Sequence, residues 1–114
     1  MKLEYIVVEK LISTIIEVRE NTENYEQVVF LSKDVDNWNR ILTEKFGTPL
    51  ISADGTKNEV QAENLTVALK VVDSFGGIQK GQTLYYGMHE SSKIIITLWP
   101  WQDGEHVTLN KVII

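Results

Sequence analysis

The chain has 114 residues, 43% hydrophobic and 24% charged, with no cysteine and a formal net charge of −5; this is the length and composition of one ordinary globular domain, spanning residues 1–114. Without cysteine there is no disulfide framework, thiolate metal site or thiol nucleophile, and with 16 acids against 11 bases, Arg19 and Arg40 being the arginines, the chain lacks the basic footprint of a nucleic-acid binder. No stretch approaches the roughly 18 consecutive apolar residues of a membrane span, and Glu4, Glu9 and Lys10 interrupt the apolar run a signal peptide would need, so the expectation is a cytoplasmic protein with neither membrane nor nucleic acid as partner.

In chain order, Val7, Val8, Leu11, Ile12, Ile15, Ile16 and Val18 share one face at about 100° per residue, which predicts a helix from about residue 3 to 20. Their β-branched content leaves a strand pair as the alternative. A turn at Asn21–Asn24 leads to a short, β-prone strand from Tyr25 to Ser32. Glu17, Glu20, Glu23 and Glu26 read as a solvated acidic rim, because they straddle a helix end and a turn instead of converging.

The second helix carries the fullest set of signals. Asp34 or Asp36 is placed to cap it, Val35, Trp38, Ile41, Leu42 and Phe46 form one stripe, and Gly47 and Pro49 end it. Residues 52–58 read as a polar connecting loop. A third helix is predicted from about Val60 to Phe75, with Leu65, Ala68, Leu69, Val72 and Phe75 inward, Gly76 and Gly77 at its C-terminal end and Ile78 packing back.

Three antiparallel strands complete the chain. Asp103-Gly104 is a favoured dipeptide for a two-residue type I′ hairpin, and taking it as the loop sets Trp101 opposite His106, Trp99 opposite Thr108, Thr97 opposite Asn110 and Ile95 opposite Val112. With Ser91 and Ser92 as the other loop, Leu84, Tyr86 and Met88 join the Trp99 face, and Tyr85 joins Ile94, Ile96, Leu98 and Leu109 on the other. Both faces are then substantially apolar, so helices divide between them or a second copy of the chain covers one. The fold class is α+β in the order α-β-α-α-β-β-β: a mainly antiparallel sheet of about four strands with three packed helices.

No catalytic or cofactor signature is present, and no cofactor is expected. His89 and His106 fall at opposite ends of the meander, about 20 Å apart, too far to share a metal. Asp103, Glu105 and His106 are discounted as a metal site because Asp103 sits in the turn and Glu105 points away from His106 along a strand. What remains is an aromatic corner: Trp99 is expected to pack under a helix, and Trp101, Gln102, Asp103 and His106, with Tyr86 nearby, are the candidate binding residues. The expectation is a non-enzymatic interaction module that binds a protein partner or itself as a homodimer, through the Trp101 and His106 end of the sheet or through the acidic stretch near Glu20. The competing reading is a small-ligand binder or enzyme with a pocket lined by Tyr86, Trp101 and His106, the histidine serving as acid or base.

Overall fold

The computed structural model describes residues 3–74 and 76–114. Its α-helices are α1 (Glu9–Ile12), α2 (Val35–Phe46) and α3 (Ala62–Asp73), and its strands are β1 (Ile15–Asn21), β2 (Tyr25–Leu31), β3 (Thr83–His89), β4 (Ser92–Pro100) and β5 (His106–Ile113). Short 3-10 turns at Leu3–Tyr5, Ser32–Asp34 and Glu59–Gln61 lead into the helices. The strands form a single antiparallel sheet in the order β1-β2-β5-β4-β3. The architecture is α+β as expected, with five strands in place of four.

The fifth strand comes from the segment predicted as one helix over residues 3–20. Only Glu9–Ile12 of it is α-helical. The hydroxyls of Ser13 and Thr14 bond back to the carbonyls of Lys10 and Leu11, a local alternative to continuing the helical ladder, and the chain then extends as β1. Register shifts between Ile15 and Glu17 and between Val18 and Glu20 set two residues of β1 against one of β2 at each bulge. Such bulges interrupt the period-two alternation of a strand and leave apolar pairs that imitate a helical stripe.

Helices divide between the two faces of the sheet. On the first face Leu3, Ile6, Val7 and Leu11, with Trp38 and Leu42 of α2, pack on Val28, Phe30, Tyr85, Ile94, Ile96, Leu98, Val107 and Leu109. Trp38 is fully buried, stacks on Phe30 with ring centroids 4.9 Å apart, and donates its indole N–H to the Thr14 hydroxyl at 3.0 Å. On the second face Ala68 and Val72 of α3, with Leu50 and Ile51, cover Leu84 and Ile95 of β3 and β4. Ile78 packs on this cluster as predicted; Phe75 lies outside the described residues.

One helix terminus differs from expectation. No side-chain hydrogen bond caps α2: Asp34 is already wound into the preceding 3-10 turn, with φ −99° and ψ −1°, whereas a capping side chain needs an extended backbone. The C-terminal end behaves as predicted, Gly47 adopting φ +84° and donating to the Thr43 carbonyl. Helix α2 crosses β3 so closely that a Cβ on Gly87 would run into the ring of Phe46, which explains a glycine inside a strand.

The β3–β4 hairpin turns one residue earlier than predicted. His89 pairs with Ser92, and the loop residues Glu90 and Ser91 both have positive φ, 49° and 70°, the backbone signature of a type I′ turn. Moving a two-residue loop by one position shifts the register by two, so every side chain keeps its predicted face.

Glu26 corrects the reading of the acidic rim. Glu17, Glu20 and Glu23 are exposed, but Glu26 is 8% exposed and bonds the fully buried Lys111 ammonium at 2.9 Å. The same carboxylate oxygen accepts the backbone N–H of Leu3 at 2.6 Å. Two charges so placed cost several kcal/mol of desolvation each and persist because they are paired and hydrogen-bonded.

Candidate functional site

The β4–β5 register is the one predicted from Asp103-Gly104: Trp99 pairs with Thr108, Thr97 with Asn110 and Ile95 with Val112, and the N–H of Trp101 donates to the carbonyl of His106 at 2.8 Å. The turn itself is different. Gly104 has φ +70° while Asp103 does not enter the positive region, and the N–H of Gly104 closes onto the Trp101 carbonyl at 3.2 Å. Asp103 organises the rest with its side chain, one carboxylate oxygen accepting the N–H groups of Glu105 at 2.8 Å and His106 at 3.1 Å. Aspartate does here what a second left-handed residue would do in a type I′ turn.

This turn fixes an aromatic stack on the second face. Trp101 lies against the His106 imidazole, with centroids 4.6 Å apart and 27° between planes, and its indole N–H donates to the Thr108 hydroxyl at 2.7 Å. The second carboxylate oxygen of Asp103 meets His106 Nδ1 at 2.6 Å. Hydrogen bonding from the Glu105 N–H, and then from His106, holds the Asp103 carboxyl below its usual range despite some desolvation. Trp101 folds back along β5 to Thr108, which pairs with Val29 of β2, which in turn opposes Glu17 of β1. Arg19 thereby comes to lie with its guanidinium 5.0 Å from the Trp101 ring, in cation–π range, and its Nε donates to Glu17 at 3.2 Å.

Deeper on the same face is a polar network. The side-chain oxygen of Asn110 accepts from the Tyr25 hydroxyl at 2.8 Å and from Gln27 at 2.9 Å, and its amide N–H donates to Thr97 at 3.2 Å. Burial, followed by the Glu20 charge, raises the Tyr25 hydroxyl above its ordinary value of 10.0. Trp99 is half-buried and is not among the described members of either apolar cluster. Its indole N–H is buried without a hydrogen-bond partner among the described residues.

Of the predicted site residues, Trp101, Asp103 and His106 are brought together and Gln102 is exposed at the turn between them. Tyr86 is elsewhere. It pairs with Ile95, six positions along β4 from Trp101, roughly 20 Å at 3.3 Å per residue, and it packs on the α3 cluster. Five depressions lined by described residues hold about 120 to 590 Å³, and none of these five is lined by Tyr86, Trp101 or His106. Arg19 is the residue that a helix over 3–20 hides; the signal that points to it is the alternating charge of Glu17-Val18-Arg19-Glu20.

His89 pairs with Ser92 of β4 and His106 faces Trp101, nine positions away, so the separation is roughly 30 Å instead of 20. Glu105 lies in the turn ahead of β5, and its carboxylate shares a volume within 4.8 Å with the side chains of Asp103 and His106. Both Asp103 oxygens are already engaged by the turn and by His106, a structural role that accounts for the cluster. Among the described residues no helix is long and apolar enough to cross a membrane.

Comparisons with protein-family models, curated proteins and solved structures return no match.

Proposed function

We propose that this chain is a non-enzymatic protein-interaction module of the cytoplasm, and that its contact surface is the Trp101 corner together with the adjoining strand β1. The observation that carries the reading is the support of Trp101. A half-buried tryptophan is held from three sides by Thr108, His106 and Arg19, so its rotamer entropy is already lost before any partner arrives. Tryptophan and arginine are the residue types most enriched where truncation costs a complex most, and here they touch. The neighbouring side chains of β1 are exposed, and the cysteine-free composition suits a reducing compartment.

Trp101→Ala tests the reading. The tagged wild-type chain is expected to capture a stoichiometric protein, either a different one or an untagged copy of itself, and the variant to lose at least about tenfold in affinity while keeping its far-UV circular dichroism. Loss of the folded spectrum would make Trp101 a core residue. Reproducible thermal stabilisation by a metabolite or metal ion, with no protein captured, would replace the interaction reading by the small-ligand one.

A further inference from the structure

The two edges of the sheet are treated differently by the fold. At the β3 edge Leu84 exchanges backbone hydrogen bonds with Leu50 and Ile51. At the β1 edge no described residue pairs with positions 16–20 from outside, and Ile16 and Val18 are 52% and 57% exposed. An unpaired strand of this length with exposed apolar side chains is a template for another strand.

We infer that the occupant is a second copy of this chain, pairing β1 with β1 antiparallel about a two-fold axis at Val18; this identifies the partner within the interaction reading above. Two features of β1 are symmetric about that residue. The bulges fall at residues 16–17 and 19–20, one on each side, so a two-fold through Val18 sets each bulge against its counterpart. The charges do the same: Glu17 and Arg19 flank Val18, and the axis brings each Glu17 opposite the other copy's Arg19, with Val18 against Val18 between them. Bulges and charges ordinarily protect an edge from indiscriminate pairing. Here their placement leaves a register in which they complement themselves, and moving the axis one residue to Glu17 or to Arg19 sets like charges against each other.

The geometry also links the edge to the aromatic corner. Arg19 and Glu17 already form an exposed ion pair within one chain, which contributes little to folding and can be exchanged at little cost. Arg19 rests on Trp101, which lies inward of β1 across β2, so pairing draws the guanidinium off the ring and outward to the incoming carboxylate. A strand pair of this length sits at the small end of specific interfaces, and the dissociation constant is expected on the order of micromolar.

Sedimentation equilibrium over a dilution series tests the inference. The wild type is expected to move from 13.0 kDa to twice that mass with concentration. Glu17→Arg and Arg19→Glu should each weaken self-association about tenfold by placing like charges across both symmetric contacts. An equimolar mixture of the two variants should recover dimers, because each mixed pair then meets opposite charges, whereas an effect confined to one chain cannot be rescued by mixing. Wild type that stays at the monomer mass, a dimer indifferent to both substitutions, or a mixture no stronger than its components would each overturn the pairing. A monomeric wild type that still captures a different protein through Trp101 defeats this inference alone; a dimer unaffected by Trp101→Ala, with no other protein captured, defeats the Trp101 surface alone.

Discussion

The two halves of the sheet are held by different chemistry. Toward β3 the interior is mainly apolar and closed, with α2 against one face, α3 against the other, and Leu50 and Ile51 on the edge; its buried polar contact is the Tyr85 hydroxyl donating to Asn39 of α2 at 2.7 Å, which ties a strand to a helix and not strand to strand. Toward β1 the interior also contains polar groups: the Glu26–Lys111 pair under Leu3 on one face, and Asn110 with Tyr25, Gln27 and Thr97 on the other. Apolar packing tolerates sliding, whereas a buried ion pair or amide is satisfied in one register only. The half that ends in an open edge is thus the half whose strand alignment is pinned by polar contacts, which is what a surface offered to a partner needs.

The largest effect that separates the halves is expected at Lys111. Lys111→Met strands the Glu26 carboxylate in the interior and should cost about 3–5 kcal/mol in chemical denaturation; a loss under 1 kcal/mol would mean that the polar half is not held by this pair. Replacing both partners at once, Glu26→Leu with Lys111→Met, should recover much of the loss, since two apolar groups leave no orphaned charge. At the closed half the corresponding probe is Gly87→Ala. Its methyl group must displace Phe46, and overpacking of this kind costs about 1–3 kcal/mol. A cost near zero would show that α2 can lift from β3 and that the closed half is looser than its burial suggests.

Sequence reading succeeded where side-chain period and turn chemistry agreed. Trp38 and Leu42 on α2, the faces of β3 and β4, and the Trp101–His106 pairing were legible because one helical stripe and two hairpin turns determine them. It failed at Ile15–Asn21 because bulges at 16–17 and 19–20 replace alternation by pairs of like character, and periodicity is the signal on which the distinction rests. Glu26 was unreadable for another reason: its partner Lys111 lies 85 residues away, and local sequence carries no trace of a buried charge's counter-ion. The same holds for the site. Asp103 and His106 are neighbours in the turn, but Arg19 reaches Trp101 only through the β1-β2-β5-β4 order, which depends on β1 being a strand.

The smallest effect expected concerns the turn that aims Trp101. The Asp103 carboxyl titrates below its ordinary value of 3.8 because the charged form accepts the N–H groups of Glu105 and His106 and faces the His106 ring. A depressed carboxyl stabilises the folded state above its unfolded-state value, and that contribution disappears as pH falls through the lower, folded-state one. Acidification below pH 3.8 should therefore loosen the turn and shift the Trp101 indole N–H resonance. In Asp103→Asn the amide oxygen can still accept the two backbone N–H bonds, but no proton can be taken up there, so the acid shift should be absent while the turn persists at neutral pH. If the variant shows the same shift as the wild type, protonation elsewhere controls Trp101. If the variant has lost the stack at neutral pH, the charge on Asp103 matters more than its hydrogen bonds, and the pairing with His106, instead of the turn, is what holds the corner in place.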